Sequence, residues 1–175
     1  MSQNRKYITH NETMVRSGLA YRLNVKSSGV YSAIVHTSID QLDVCVDKWK
    51  RVLVYRFDFH QSFYTGSNKL ISRFMKNLKK HLQRSYQMHE IGYIWVREKE
   101  RAKHQHYHGA LYLDGNKIRH PAKLGRTMVM LWKNLRESNH MPTIKNPFYF
   151  VDSEQEQIEA IYRISYLCLL YTSPS

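Results

Sequence analysis

The chain has 175 residues, 42% of them hydrophobic and 13% aromatic, with 27 Lys+Arg against 14 Asp+Glu for a net charge of +13. That is enough chain for one domain with a buried core, and too apolar for a disordered polymer. The charge predicts a polyanionic partner, nucleic acid first and an anionic membrane surface second.

Residues 1–30 are polar and without clear periodicity, and predict an N-terminal arm that packs poorly. Over 31–50, Ile39, Leu42 and Val46 recur at helical spacing. RVLVYRFDFH (51–60) is rich in β-branched and aromatic residues and predicts a strand. After the break at Gly66-Ser67-Asn68, residues Leu70, Ile71, Phe74, Met75, Leu78 and Leu82 form one helical stripe. The opposite face carries Lys69, Arg73, Lys76, Lys79, Lys80 and Arg84, which suits either a solvated surface or a DNA-facing one.

IGYIWVRE (91–98) predicts a second strand. The polar connector KERAKHQ leads to a third, HYHGALYLDG, ended by an Asp-Gly turn. The second and third strands are expected to pair as a hairpin. Pro121 starts a helix whose buried stripe is Leu124, Met128, Leu131, Trp132 and Leu135. A loop with Pro142 and Pro147 follows. The last helix starts at Ser153, which makes a capping-box pattern with Glu156, and carries Ile158, Ile161, Tyr162, Ser165 and Tyr166. This order predicts an α+β fold, an antiparallel central sheet with helices packed on it.

Cys45 and Cys168 form neither a disulfide framework nor a CxxC site. No apolar run nears the roughly 20 residues of a spanning helix, and the first residues hold no secretory apolar core. The expectation is a cytoplasmic protein with no membrane partner.

Residues two apart on a strand share a face. His106 and His108 therefore project together, while Tyr107, Gly109, Leu111 and Leu113 face the other way. Two imidazoles on a rigid strand are half of a metal site. Glu98, at the end of the preceding strand, is the candidate third ligand, with Glu100 the alternative. Such a mixed set suits Mg²⁺ or Mn²⁺, and zinc fits it as well. His104 and His106 share the same spacing, but Gln105 between them lies in the connector, so the register favours 106/108. Tyr162 and Tyr166 are four apart and share a helix face. They read either as core aromatics or as nucleophiles, since a tyrosine hydroxyl can attack a phosphodiester and later leave.

These residues meet a known family. HYHGALYLDG after a strand ending in WVRE resembles the HUH endonucleases. More narrowly, the chain resembles the replication-initiation proteins of filamentous phages (inoviruses) and the related YagK/YfjJ C-terminal-domain proteins of prophages. Three segments carry the likeness over roughly residues 50–167. Arg56-Phe57-Asp58-Phe59-His60 resembles an R-x-D-L-H pattern, with Phe for Leu. Trp95-Val96-Arg97-Glu98 with His106-Tyr107-His108 resembles the metal segment. Tyr162-Arg163-Ile164-Ser165-Tyr166-Leu167 resembles the start of the tyrosine segment.

The resemblance implies a Rep/relaxase-like HUH fold over 31–167 and a site-specific nicking-joining enzyme. Such an enzyme initiates rolling-circle replication of a phage or prophage element in a bacterial host. It implies metal ligation by Glu98, His106 and His108, and a covalent 5′-phosphotyrosine formed by Tyr166, with Tyr162 a second nucleophile. Partners would be single-stranded or origin DNA and the host replication machinery. Arg56, Lys69, Arg73, Lys76 and Lys80 are the candidate DNA contacts. A non-catalytic DNA-binding prophage remnant and a transposase or relaxase of the same fold are the alternatives. The family continues Tyr-Leu-x-Lys where this chain has Leu169, and 168–175 reads as an aberrant or truncated tail.

Overall fold

A computed structural model describes residues 7–27, 29–99 and 105–168. In chain order its elements are β1 (Ile8–Thr9), β2 (Thr13–Arg16), β3 (Leu19–Arg22), β4 (Val30–Tyr31), α1 (Ser32–Trp49) and β5 (Val52–Gln61). They continue with α2 (Lys69–Tyr86), β6 (Gly92–Lys99), β7 (Gln105–Asp114), α3 (Pro121–Leu135), β8 (Phe148–Val151), α4 (Glu154–Ser165) and a 3-10 turn (Tyr166–Cys168). The architecture is mixed α+β. Strands β6-β7-β5-β8 form the central sheet, and all its neighbours are antiparallel.

β5 shows why the sheet has two unlike faces. Val52 to Tyr55 are all buried, and from Arg56 onward only the odd residues are. Strand pleating sends alternate residues to opposite faces, so the first half of β5 is covered on both and the second half on one. On the fully covered face, Leu53, Tyr55, Phe57, Phe59, Tyr107, Leu111 and Leu113 pack against Ile71, Phe74 and Leu78 of α2 and Leu124, Met128 and Trp132 of α3. Gly109 belongs to this face because a Cβ there would lie 2.2 Å from the Phe57 ring. On the other face, Val52, Val54, Ala110, Tyr112 and Val151 pack against α1 and α4. That cover stops short of Arg56, Asp58, His60, His106 and His108, which are all partly exposed.

α4 begins as its sequence predicts. Ser153 is the N-cap, its Oγ accepting from the Glu156 N–H, while the Glu156 carboxylate accepts from the Asp152 N–H at 2.9 Å. Such reciprocal capping contributes about 1 kcal/mol.

Two segments differ from expectation. The described part of 1–30 is not a loose arm. β2 and β3 form a hairpin whose turn residues Ser17 and Gly18 have φ 52 and 80, as a two-residue primed turn requires. Tyr21 of β3 is fully buried, and its hydroxyl accepts from Gln157 Nε2 of α4 at 3.0 Å. Gln157 also donates to Asp43 of α1, and Arg16 pairs with Asp40. The Asn24 N–H donates to Ser165 Oγ at 2.8 Å. The second difference is β8, which lies in the stretch expected as loop and pairs with the start of β5. Pro147 blocks any earlier extension by lacking an N–H, while its carbonyl accepts from the Arg56 N–H at 2.7 Å.

Candidate metal centre

The even-numbered residues of β5, β6 and β7 near one end of the sheet build a polar floor. Register places Asp58 opposite His108, His60 opposite His106, and Glu98 opposite His106. Glu98, His106 and His108 each present one ligand atom, and these atoms lie within 4.8 Å of one another. One carboxylate and two imidazoles in that compass fit a divalent cation. Glu100 and His104, the alternatives read from sequence, lie outside the described residues.

His108 is held from both sides. Its Nδ1 is 2.8 Å from Asp58 Oδ1 and its Nε2 is 2.9 Å from Glu98 Oε2. Burial alone would push its pKa down. The hydrogen bonds and charges of Asp58 and Glu98 outweigh that and raise it to about 9. Without a metal, His108 is therefore an imidazolium bridging two carboxylates. With a metal, Asp58 would keep its bond to Nδ1–H and leave the Nε2 lone pair for the ion, the usual carboxylate–histidine–metal relay.

Beside this group, His60 stacks on His106 with ring centroids 3.9 Å apart and planes 11° from parallel. Backbone hydrogen bonds tie His60 to His140, whose ring lies 6.0 Å away. Burial first, then the His106 and His140 charges, push His60 below the usual histidine range. Sequence reasoning gave Asp58, His60 and His140 no role. The period-two run Arg56-x-Asp58-x-His60 was a signal that the first two histidine neighbours share one face. His140 had none, because a long-range backbone bridge places it.

The tyrosines fall differently. The Tyr166 ring carries the Arg56 guanidinium at 5.2 Å and the Lys26 ammonium at 5.3 Å. Arg56 precedes Asp58 by two residues on the same face, so Tyr166 stands at the edge of the polar floor. Tyr162 lies under Arg22 of the hairpin, at 4.8 Å. α4 ends at Ser165, so Tyr166 sits in the 3-10 turn beyond it rather than on the same helix.

The candidate DNA contacts are split. Arg56 belongs to the floor. Lys69, Arg73, Lys76 and Lys80 are exposed on α2, which packs on the opposite face of the sheet. The structure does not bring them to Glu98, His106 and His108. Leu169 and the rest of the tail lie outside the described residues. No helix among the described residues is long and apolar enough to cross a membrane.

Comparison with known proteins finds one family, described as the YagK/YfjJ C-terminal domain, matching residues 13–173. No curated protein matches the chain. Among solved structures, a hypothetical protein, ORF119, from Sulfolobus islandicus rod-shaped virus 1 is 10% identical. It covers 79% of this chain and 99% of its own, at a TM-score of 0.43. A de novo designed protein, Foldit4, is 11% identical and covers 59% of this chain and 99% of its own, at 0.37. Likeness at that level carries no functional argument.

Proposed function

This chain belongs to the YagK/YfjJ C-terminal domain family, and from that premise we propose that it is a metal-dependent HUH-type nicking-joining enzyme for single-stranded DNA. In this reading it initiates rolling-circle replication of a phage or prophage element. The observation that carries the reading is the Glu98-His106-His108 donor set on an open sheet face with Tyr166 at its edge. An open floor suits a strand that must lie across it, and the net charge of +13 suits a phosphate backbone.

A divalent ion, Mg²⁺ or Mn²⁺, held by Glu98, His106 and His108 would polarise the scissile phosphate and stabilise charge as its bond breaks. Asp58 fixes the tautomer and orientation of His108. Tyr166 Oη attacks phosphorus, its proton passing to solvent. The new P–O(Tyr) bond replaces the P–O3′ bond, and the 3′ oxygen leaves as a hydroxyl. The reverse reaction rejoins the strand. Tyr162 would serve as a second nucleophile.

The test uses single-stranded oligonucleotides tiled across the DNA flanking the protein's own gene, with Mn²⁺ present. A denaturation-resistant protein–DNA adduct is expected, lost in Tyr166→Phe and in His108→Ala. An adduct that persists in the Tyr162→Phe/Tyr166→Phe double variant, or full activity in His106→Ala, sinks the reading. Salt-sensitive binding with no adduct in any metal would favour a non-catalytic DNA-binding protein instead.

A further inference from the structure

We propose that Lys26 and Arg56 together clamp a backbone phosphate of the DNA strand at Tyr166, which makes the N-terminal segment a working part of the site. This rests on the reading of Tyr166 as nucleophile. Arg56 comes from the middle of β5, and Lys26 from the segment that leaves the β2–β3 hairpin. Yet both cations stand over one ring, at 5.2 and 5.3 Å from its centroid. The ring attracts each cation, while the two like charges repel each other, and an anion reaching both would relieve that repulsion.

Two further observations leave room for an external anion, and a third shows that the segment bearing Lys26 is held in place. First, Arg56 Nε is buried and makes no hydrogen bond among the described residues. A donor left unmade costs free energy, and it shows that no acceptor of the described fold holds Nε of this partly exposed residue. Second, neither Lys26 nor Arg56 pairs with a carboxylate among the described residues; the nearby Asp58 is occupied by His108. Third, Lys26 is not on a swinging tail. Tyr21 and Leu23 are buried, and the Asn24 N–H is bonded to Ser165 Oγ, next to Tyr166 itself. Tyr162 differs, because among the described residues Arg22 alone stands over it. The clamp therefore also distinguishes the two tyrosines.

A purely structural stacking role would leave DNA chemistry alone, so the test separates the two. The full chain is compared with Lys26→Met, Lys26→Arg and Lys133→Met. Lys133 is exposed on α3, on the far side of the sheet, and controls for loss of one charge. Two quantities are read: the rate of adduct formation at saturating single-stranded DNA with Mn²⁺, and the salt dependence of oligonucleotide binding by anisotropy. Lys26→Met is expected to slow adduct formation by about tenfold or more. It should also reduce the log–log salt slope by about one, the loss of one phosphate contact. Lys26→Arg should restore both, Lys133→Met should change neither, and the melting temperature should hold throughout. An unchanged rate and slope in Lys26→Met, with adduct still formed by the wild type, overturns the clamp and leaves the enzymatic reading standing. No adduct from the wild type itself overturns the enzymatic reading, and the salt slope still decides whether Lys26 contacts phosphate.

Discussion

The two faces of the sheet use alternate residues of the same strands for opposite ends. On the α2–α3 side, Phe59 stacks on Trp132 at 4.6 Å and meets Phe74 edge-on at 4.5 Å, within a cluster of buried apolar and aromatic side chains. On the α1–α4 side the core ends at Val54 and Ala110. Beyond them the strands carry carboxylates, imidazoles and a guanidinium. The pleat thus separates the residues packed in the core from the polar group that could hold a ligand. A side chain can be optimised for one task without touching the other.

The strongest way to break that comparison is Phe59→Ala. Removing a fully buried ring is expected to cost about 3–5 kcal/mol in a denaturant titration. A loss below about 1 kcal/mol would mean that the packed face is not what holds the molecule together.

Asp58→Asn probes the other face. It keeps the shape but weakens the hold on His108, and should lower Mn²⁺ affinity by about 10–100-fold by calorimetry. Its denaturation midpoint should move far less than that of Phe59→Ala. Unchanged affinity would remove Asp58 from the metal relay.

The same contact gives a pH signature in metal-free protein. The folded pKa of His108, about 9, lies above its ordinary value of 6.5. The stabilisation is therefore fully present below about pH 6.5 and is lost as pH rises through 9. Melting temperature should fall across that window, and the fall should flatten in His108→Gln. A wild-type curve as flat as the variant's would contradict the bridged imidazolium.

The smallest effect is expected from Lys76→Ala with Lys80→Ala, on the outer side of α2. Adduct formation should stay within about twofold, as for surface changes remote from a site. A large loss would mean that DNA wraps both faces of the sheet.

Much of this was readable in the residues, for definite reasons. α2 and α3 bury long apolar stripes, and β5, β6 and β7 are long enough to show their period. The cap at Ser153 is a four-residue pattern. The His106/His108 pair needed only strand parity. The hairpin escaped because apolar Val15 and Ala20 occupy exposed positions of β2 and β3, so the alternating burial does not show as alternating polarity in the sequence. β8 has four residues beside a proline, too short for a period to emerge. Which side α2 turns its cations to depends on packing, and local sequence cannot tell one face of a sheet from the other. The grip of Asp58 on His108 and the convergence of Lys26 and Arg56 on Tyr166 are likewise tertiary facts, joining residues 50, 140 and 110 positions apart.

Alternation along β5 also limits how such a chain can change over generations. Substitutions at Arg56, Asp58 or His60 alter a partly exposed surface outside the two apolar cores, so its polar groups can change while the fold persists. A single-residue deletion early in β5 behaves quite differently. It would turn Phe57 and Phe59 out to water and drive Asp58 and His60 in among Phe74 and Trp132. Lineages of this domain should therefore tolerate replacement on the open face of β5 and β7 better than on the packed face, and confine insertions and deletions to the connections between strands.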